Sequence, residues 1–193
     1  MRVVAFNCSP RKKGNTATMI NVVLEELENE GISTELVQVG KKKIRGCIAC
    51  YLCKEHKDSR CHAGKEGDIL NDCLAKMIEA DGIIIGSPTY FSNVSTEAKA
   101  LIDRAGMVSR VNGDLLKRKV GAAVIAARRG CACPAFSAVN YFFLIGQMIV
   151  PGSTYWNFGY GMDPGEVEKD DEGIKTMKDL GVNMAWLLKR VKD

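Results

Sequence analysis

The sequence predicts an α/β fold: a doubly wound, five-stranded parallel sheet with helices on both faces. Short, wholly apolar runs recur along the chain, as strands covered on both sides require. They alternate with stretches whose apolar residues recur at helical spacing. Strands and helices in alternation imply right-handed crossovers and a parallel sheet. The 193 residues are enough for one substantial core, and 46% hydrophobic with 26% charged residues is the balance of an ordinary globular chain. Residues 1–193 therefore read as a single domain, with 41–66 an insertion after the second strand.

Each element has its own signal. RVVAF, within residues 1–7, reads as a buried first strand running into a polar loop. Residues 16–30 read as a helix, with Ile20, Val23, Leu24 and Leu27 on one face and Gly31 suited to its stop. TELVQV (34–39) is a second strand. After a long connection, Ile69, Leu70, Cys73, Leu74, Met77 and Ile78 form the apolar face of another helix. GIIIG (82–86) is the third strand, and Ser95 caps a helix carrying Ala98, Leu101, Ile102 and Ala105. VGAAVIAA (120–127) is the fourth strand. Pro134 marks the start of a helix filled by FFLIGQMIV, and STYWN (153–157) is the predicted fifth strand. DPGEVEKDDEG (163–173) reads as an acidic surface loop before a final helix with Ile174, Met177, Leu180, Met184, Leu187 and Val191. The whole matches a flavodoxin-like arrangement with strand order 2-1-3-4-5.

Composition narrows the function. No apolar run reaches the roughly 18–20 residues of a membrane span, and the first strand is too short for a signal peptide. A cytoplasmic location is expected, where thiols stay reduced and clustered cysteines point to metal or redox chemistry. A net charge of +4 without a basic stripe or interleaved aromatics argues against nucleic acid. The basic residues gather at one place: Lys41, Lys42, Lys43, Arg45, Lys54, Lys57, Arg60 and Lys65 surround a run of cysteines. They form either a solvated loop or a docking face for an acidic partner.

In such sheets ligands sit outside the carboxyl ends of the strands. The loop after the first strand, CSPRKKGNTA (8–17), contains neither G-x-G-x-x-G nor G-x-x-x-x-G-K-[ST], which argues against a dinucleotide or a nucleoside triphosphate. Ser9, Asn15, Thr16 and Thr18 around the flexible Gly14 open a helix, and hydroxyls with free backbone N–H groups there suit one phosphate. Arg11 adds a charge-assisted contact. SPRKKGNT after the first strand and GSPTYFSNVS (86–95) after the third resemble the FMN-binding loops of the NADPH-dependent FMN reductase group. That resemblance implies that Ser9, Arg11, Asn15 and Thr16 hold the FMN phosphate. It also implies that Pro88, Thr89, Tyr90, Phe91 and Asn93 border the isoalloxazine ring. ARRGC (127–131), with Arg128, Arg129 and Gly130, would face the pyrimidine edge. A flat ring with apolar faces and polar edges needs such a mixture of backbone donors, amides and aromatic wall.

Cys47, Cys50, Cys53 and Cys61 form C-x2-C-x2-C-x7-C. Three thiolates at successive x2 steps can wrap one side of a cubane, as in bacterial ferredoxin runs, with Cys61 replacing the usual distant fourth ligand. Zinc more often takes two separated knuckles, although His56 and His62, beside the run, leave a mixed Cys/His zinc site open. The motif resembles that of the iron–sulfur flavoproteins, which carry FMN and a 4Fe–4S cluster. The resemblance implies a homodimer or homotetramer in which a cluster lies near a neighbouring subunit's FMN. Because the run follows the second strand, the cluster is expected near the same sheet rim as the flavin loops. Of the other cysteines, Cys73 falls on an apolar helix face, Cys8 packs beneath the phosphate loop, and Cys131 and Cys133 form a C-x-C by the presumed flavin edge.

Three functions compete on these residues. The first is an electron-transfer flavoprotein passing electrons from a ferredoxin-like donor through a 4Fe–4S cluster and FMN to a small acceptor, with no catalytic side chain. The second is an NAD(P)H-dependent FMN or quinone reductase whose cysteines bind zinc or no metal, with Arg128 and Arg129 on the nicotinamide cofactor's phosphates. The third is a zinc-stabilised binding module that keeps the fold alone.

Overall fold

Burial on both faces decides which runs become strands. In the computed structural model, which describes residues 1–192, β1 (Arg2–Asn7), β3 (Gly82–Pro88) and β4 (Val120–Ala127) are buried along almost their whole length. β2 (Ser33–Gln38) and the three-residue β5 (Phe158–Tyr160) form the edges. The order is β2-β1-β3-β4-β5 and every pair is parallel, as the sequence predicts.

Successive residues of each strand point to opposite faces and so feed two cores. Val3, Ala5, Ile84 and Val124 pack with α1 (Asn15–Asn29) and α6 (Asp171–Lys192). Val4, Phe6, Ile83, Ile85 and Ile125 pack with α3 (Leu70–Glu79), α4 (Thr96–Val111) and α5 (Cys133–Ile145). The Ser95 cap forms as expected: its Oγ accepts from Ala98 N at 3.2 Å and donates to Cys8 O at 2.8 Å, which ties α4 to the loop after β1. The long connection from β2 to α3 holds only the short α2 (Leu52–His56).

Two predicted elements are displaced. The fifth strand is Phe158–Tyr160, not 153–157. Pro151 and Gly152 break the approach, and Ser153 Oγ turns inward to Tyr155 O and Asn157 Oδ1, at 2.5 and 2.6 Å. Asn157 then docks the segment on β4 by donating its Nδ2 to Ala123 O at 3.0 Å, so ladder pairing starts one residue later. The aromatic content of TYW was a misleading strand signal, for Tyr155 and Trp156 are exposed. The helix through FFLIGQMIV likewise ends at Ile145. Gln147 takes a left-handed φ of 55°, and Ile149 pairs with Val120 as an isolated bridge. The apolar run is partly helix and partly sheet edge. The predicted acidic loop also shortens, because α6 begins at Asp171, where Asp170 Oδ1 accepts from Gly173 N at 3.0 Å.

Gly40 fixes how the chain leaves β2. A Cβ there would lie 2.0 Å from Ser9 O and 2.3 Å from Ser9 C, inside the backbone of the loop after β1. Gly40→Ala should therefore destabilise the chain by about 1–3 kcal/mol, seen as a lower denaturant midpoint at unchanged slope.

Candidate functional site

Strand ends bring distant loops together at one rim. Arg11, Asn15 and Thr16 after β1, Pro88, Thr89 and Tyr90 at the end of β3, and Arg128 after β4 line one cavity of about 190 Å³. Ala126, Ala127, Gly161 and Met162 complete it. The predicted Ser9 lies beneath the cavity: its Oγ accepts from Arg11 N at 3.2 Å and so shapes the loop. Gly14 is the N-cap residue of α1, and no side chain caps that helix, whose first turn carries no acid. An anion suits such an end. Asn15 Oδ1 is committed to Gly165 N at 3.0 Å, and Arg11 Nη1 donates to Met162 O at 2.8 Å. Both side chains therefore join the loop after β5 to the loop after β1.

Thr89 gives this cavity its clearest unmet demand. Its N–H donates to Ala126 O at 2.8 Å, but its buried Oγ1 has no hydrogen-bond partner within the protein. A buried hydroxyl without a partner is costly, and a ligand with a polar edge would satisfy it. Phe91 and Asn93, also predicted here, do not line the cavity. Phe91 is fully exposed at a left-handed φ of 46°, on a tight turn closed by Tyr90 and Asn93. Arg129 and Gly130 lie exposed beyond Arg128. Gly161 and Met162 escaped sequence reading because placing the fifth strand at 153–157 put the following loop in the wrong register.

The cysteines occupy a second cavity, of about 100 Å³, lined by Cys47, Cys50, Cys53 and Cys61 with Arg104, Met107 and Val108 of α4. Cys47 and Cys50 are exposed at its mouth, and Cys53 and Cys61 are buried. Left-handed residues bend the chain around it: Ala49 and Tyr51, with φ of 51° and 60°, flank Cys50. Alternating turns of this kind gather backbone N–H groups toward an anion. Burial first, and then the nearby Cys61, Cys50 and Cys47, push the Cys53 thiol up, a mark of how closely the four are crowded.

This cavity is not at the strand rim where the chain order suggested it. The connection leaves β2 at the rim but then descends along α4, where Asn112 Oδ1 accepts from Ser59 N at 3.1 Å and Asn112 Nδ2 donates to Cys53 O at 3.3 Å. Arg104 stands nine residues beyond the Ser95 cap, roughly 13 Å down the helix at 1.5 Å per residue. The two cavities share no lining residue.

Among the described residues, no three His, Cys, Asp or Glu side chains close on a point that a single ion would occupy. All four cysteines line the same cavity of about 100 Å³, the all-thiolate donor set that an iron–sulfur cluster takes. His62 reaches both carboxylate oxygens of Asp58 at 3.1 Å, and His56 stacks on it at 4.3 Å. The histidines thus pair with each other and with Asp58, and His62 also lines the cysteine cavity. The remaining thiols fit core roles where they are buried. Burial and the nearby Asp72 push Cys73 up to about 12, and burial raises Cys8 still further. Cys131 and Cys133 are exposed.

Arg104 and Asp68 hold the cavity's inner wall. Their side chains are 1% and 3% exposed and meet at 2.7 Å. Burial alone would raise the Asp68 carboxyl, but Arg104 and the amides of Leu70 and Arg45 outweigh it and hold the carboxyl below its ordinary range.

Comparison with known proteins agrees with this architecture. Residues 1–163 match a family model described as NADPH-dependent FMN reductase. An iron–sulfur flavoprotein of Methanocaldococcus jannaschii is 38% identical over 199 residues, covering 100% of both chains. Among solved structures, RosB with bound 8-demethyl-8-formylriboflavin-5′-phosphate superposes with a TM-score of 0.77 at 19% identity, over 100% of this chain and 80% of that one. A WrbA-like flavodoxin from Agrobacterium tumefaciens gives 0.68 at 16% identity, over 98% and 97%. These two likenesses are of fold.

Removing one partner of the buried pair leaves the other charge unmatched. Asp68→Ala should cost about 3–5 kcal/mol in urea unfolding at neutral pH. Because the folded carboxyl titrates lower than the unfolded one, the contribution is complete above about pH 4 and disappears as the pH falls through the lower folded value. The gap between wild type and Asp68→Ala should therefore narrow in acid, and a constant gap would contradict the pairing.

Proposed function

The chain belongs to the NADPH-dependent FMN reductase family, and from that premise we propose an electron-transfer flavoprotein with FMN on the sheet rim and a 4Fe–4S cluster on Cys47, Cys50, Cys53 and Cys61. The observation that carries this reading is the convergence of those four cysteines on one cavity. Full-length similarity to iron–sulfur flavoproteins supports it. FMN supplies electron exchange singly or in pairs and the cluster exchange one electron at a time, while the chain supplies placement and surroundings.

On the flavin side, the open N-terminus of α1 with Arg11 and Thr16 would hold the phosphate. Thr89 Oγ1 would meet the ring's polar edge, with Pro88, Tyr90 and Arg128 bordering it. Ser9, Gly14 and Asn15 would shape that loop from below. Phe91, Asn93, Arg129 and Gly130 lie just outside the cavity and would touch a ring that extends past its mouth.

A ferredoxin-like donor suits the outer surface. Lys41, Lys42, Lys43, Lys54 and Lys57 are exposed on the same connection as Cys47 and Cys50, whose side chains reach solvent. An acidic partner would be steered to this face, and its electrons would enter at the exposed cysteines. The acceptor would be a small molecule at the flavin. Two observations support a homodimer or homotetramer. The two cavities share no lining residue within one chain, and α5 exposes Tyr141, Leu144 and Ile145 beside an apolar groove against α4. A second copy on that face would cover the apolar surface and bring one chain's cysteines toward another's flavin. Among the described residues, no helix is long and apolar enough to cross a membrane.

Anaerobic purification with iron, sulfide and flavin assay tests the reading: four irons, four sulfides and one FMN per chain are expected. Reduction by an acidic ferredoxin should slow as ionic strength rises. An iron-free protein whose flavin is bleached at once by NADPH would support the reductase alternative. Thr89→Val separates ligand from fold, because the hydroxyl has no protein partner to lose. The FMN-free protein should keep or gain stability while FMN affinity falls about tenfold, the effect of losing one hydrogen bond of roughly 1.4 kcal/mol. Equal FMN affinity would remove Thr89 from the site.

A further inference from the structure

Among the described residues, Cys61 is the one cavity cysteine whose sulfur accepts hydrogen bonds from a cationic side chain. Arg104 Nε and Nη2 each lie 3.3 Å from Cys61 Sγ, presenting one edge of the guanidinium to a single sulfur. The opposite edge is occupied by Asp68, for Nη1 donates to its Oδ1 and Oδ2 at 3.0 and 2.7 Å and to Arg45 O at 3.0 Å. Asp68 is held in turn by Leu70 N and Arg45 N at 3.0 and 3.2 Å.

Cys61 is fixed just as closely. Its N–H donates to Asn71 Oδ1 at 2.8 Å, and its carbonyl accepts from Asn71 Nδ2 at 3.0 Å. Gly64 keeps the space beside the guanidinium narrow, since a Cβ there would already lie 3.4 Å from Arg104 Nη2. Neither partner is free to turn away. A neutral thiol is a weak acceptor, whereas a metal-bound thiolate accepts strongly, so a buried fork aimed at sulfur is matched to the ligated form. Asp68 offsets the guanidinium's charge at a distance, which leaves two directed N–H groups as the local influence on Cys61.

We propose that Arg104 is a positioning residue that raises the reduction potential of the cluster through its paired hydrogen bonds to Cys61. The inference rests on the reading that these four cysteines carry an iron–sulfur cluster. Hydrogen bonds to ligand sulfurs favour the more negative, reduced form and are among the protein's main means of setting such potentials. Cys47 and Cys50, exposed at the mouth, leave that side to solvent, and Arg104 sets the dry side.

The test is an anaerobic potentiometric titration of the purified holoprotein, with cluster and flavin followed separately by EPR and visible absorption. Three variants are compared with wild type: Arg104→Lys, Arg104→Met, and Arg104→Met with Asp68→Asn, which leaves neither charge buried alone. Arg104→Met and the double variant should move the cluster's oxidised-to-reduced equilibrium about tenfold toward the oxidised form, about 59 mV lower for one electron. Arg104→Lys, with its charge but no planar fork, should fall between them and wild type. The flavin's midpoint should not move. Unchanged cluster potentials in iron-replete variants would overturn the proposal and leave the cluster reading intact. Loss of iron from all three variants while wild type stays loaded would also overturn it, making Arg104 a fastening of the fold. Wild type without iron or sulfide would instead remove the cluster reading itself.

Discussion

A buried guanidinium must be neutralised and fully hydrogen-bonded, and that requirement organises the least regular part of this molecule. Arg104 is the largest fully buried side chain. It sits on a regular helix, yet most of its partners come from the connection between β2 and α3: Arg45 O, Cys61 Sγ and Asp68. A segment of 31 residues, 39–69, with one short helix has little secondary structure to hold it. The polar contacts of Arg104 draw its two ends against α4, and Asn112 fixes its middle at Cys53 and Ser59. The shape of the cysteine cavity follows from these anchors and from the left-handed residues between them.

The two cavities are built in different ways. The rim cavity is a product of the sheet itself: parallel strands end at one level, and the loops after β1, β3, β4 and β5 must meet there. Regular hydrogen bonding positions those loops, so only a few side chains need special placement. Ser9 organises the first loop, and Asn15 and Arg11 cross to the last. The cysteine cavity has no such scaffold and depends on a network of charged and polar side chains. Its walls are less regular, and its residues are placed individually.

This difference also explains the division of roles proposed here. A flavin is large, flat and held mainly by backbone and shape, which a strand rim supplies. A metal cluster is small and held by covalent bonds to a few sulfurs, so its pocket can be improvised from a loop, provided the loop is fastened. In the proposed roles, the exposed lysines on that loop would serve recognition from outside, while Arg104 would act from inside. In the proposed homo-oligomer, a second copy on the apolar face left open on α5 would join these two functions.

Much of the fold was legible in the sequence alone. The apolar runs, the helical spacings and the Ser95 cap specified five parallel strands in the order 2-1-3-4-5, because a strand buried on both faces cannot be polar and a crossover has one hand. The four cysteines and the polar loop after β1 were legible as local motifs, since spacing alone brings C-x2-C-x2-C together. The position of β5 was not, because the aromatic content of 153–157 looks like a strand until Asn157 docks on β4. Gly161 and Met162 were hidden with it. Neither the descent of the cysteine run along α4 nor the pairing of Arg104 with Asp68 and Cys61 could be read from a helix pattern in which Arg104 is one more charged position. These contacts join residues 36 and 43 positions apart, and only the packed chain decides which distant charge a buried guanidinium will meet.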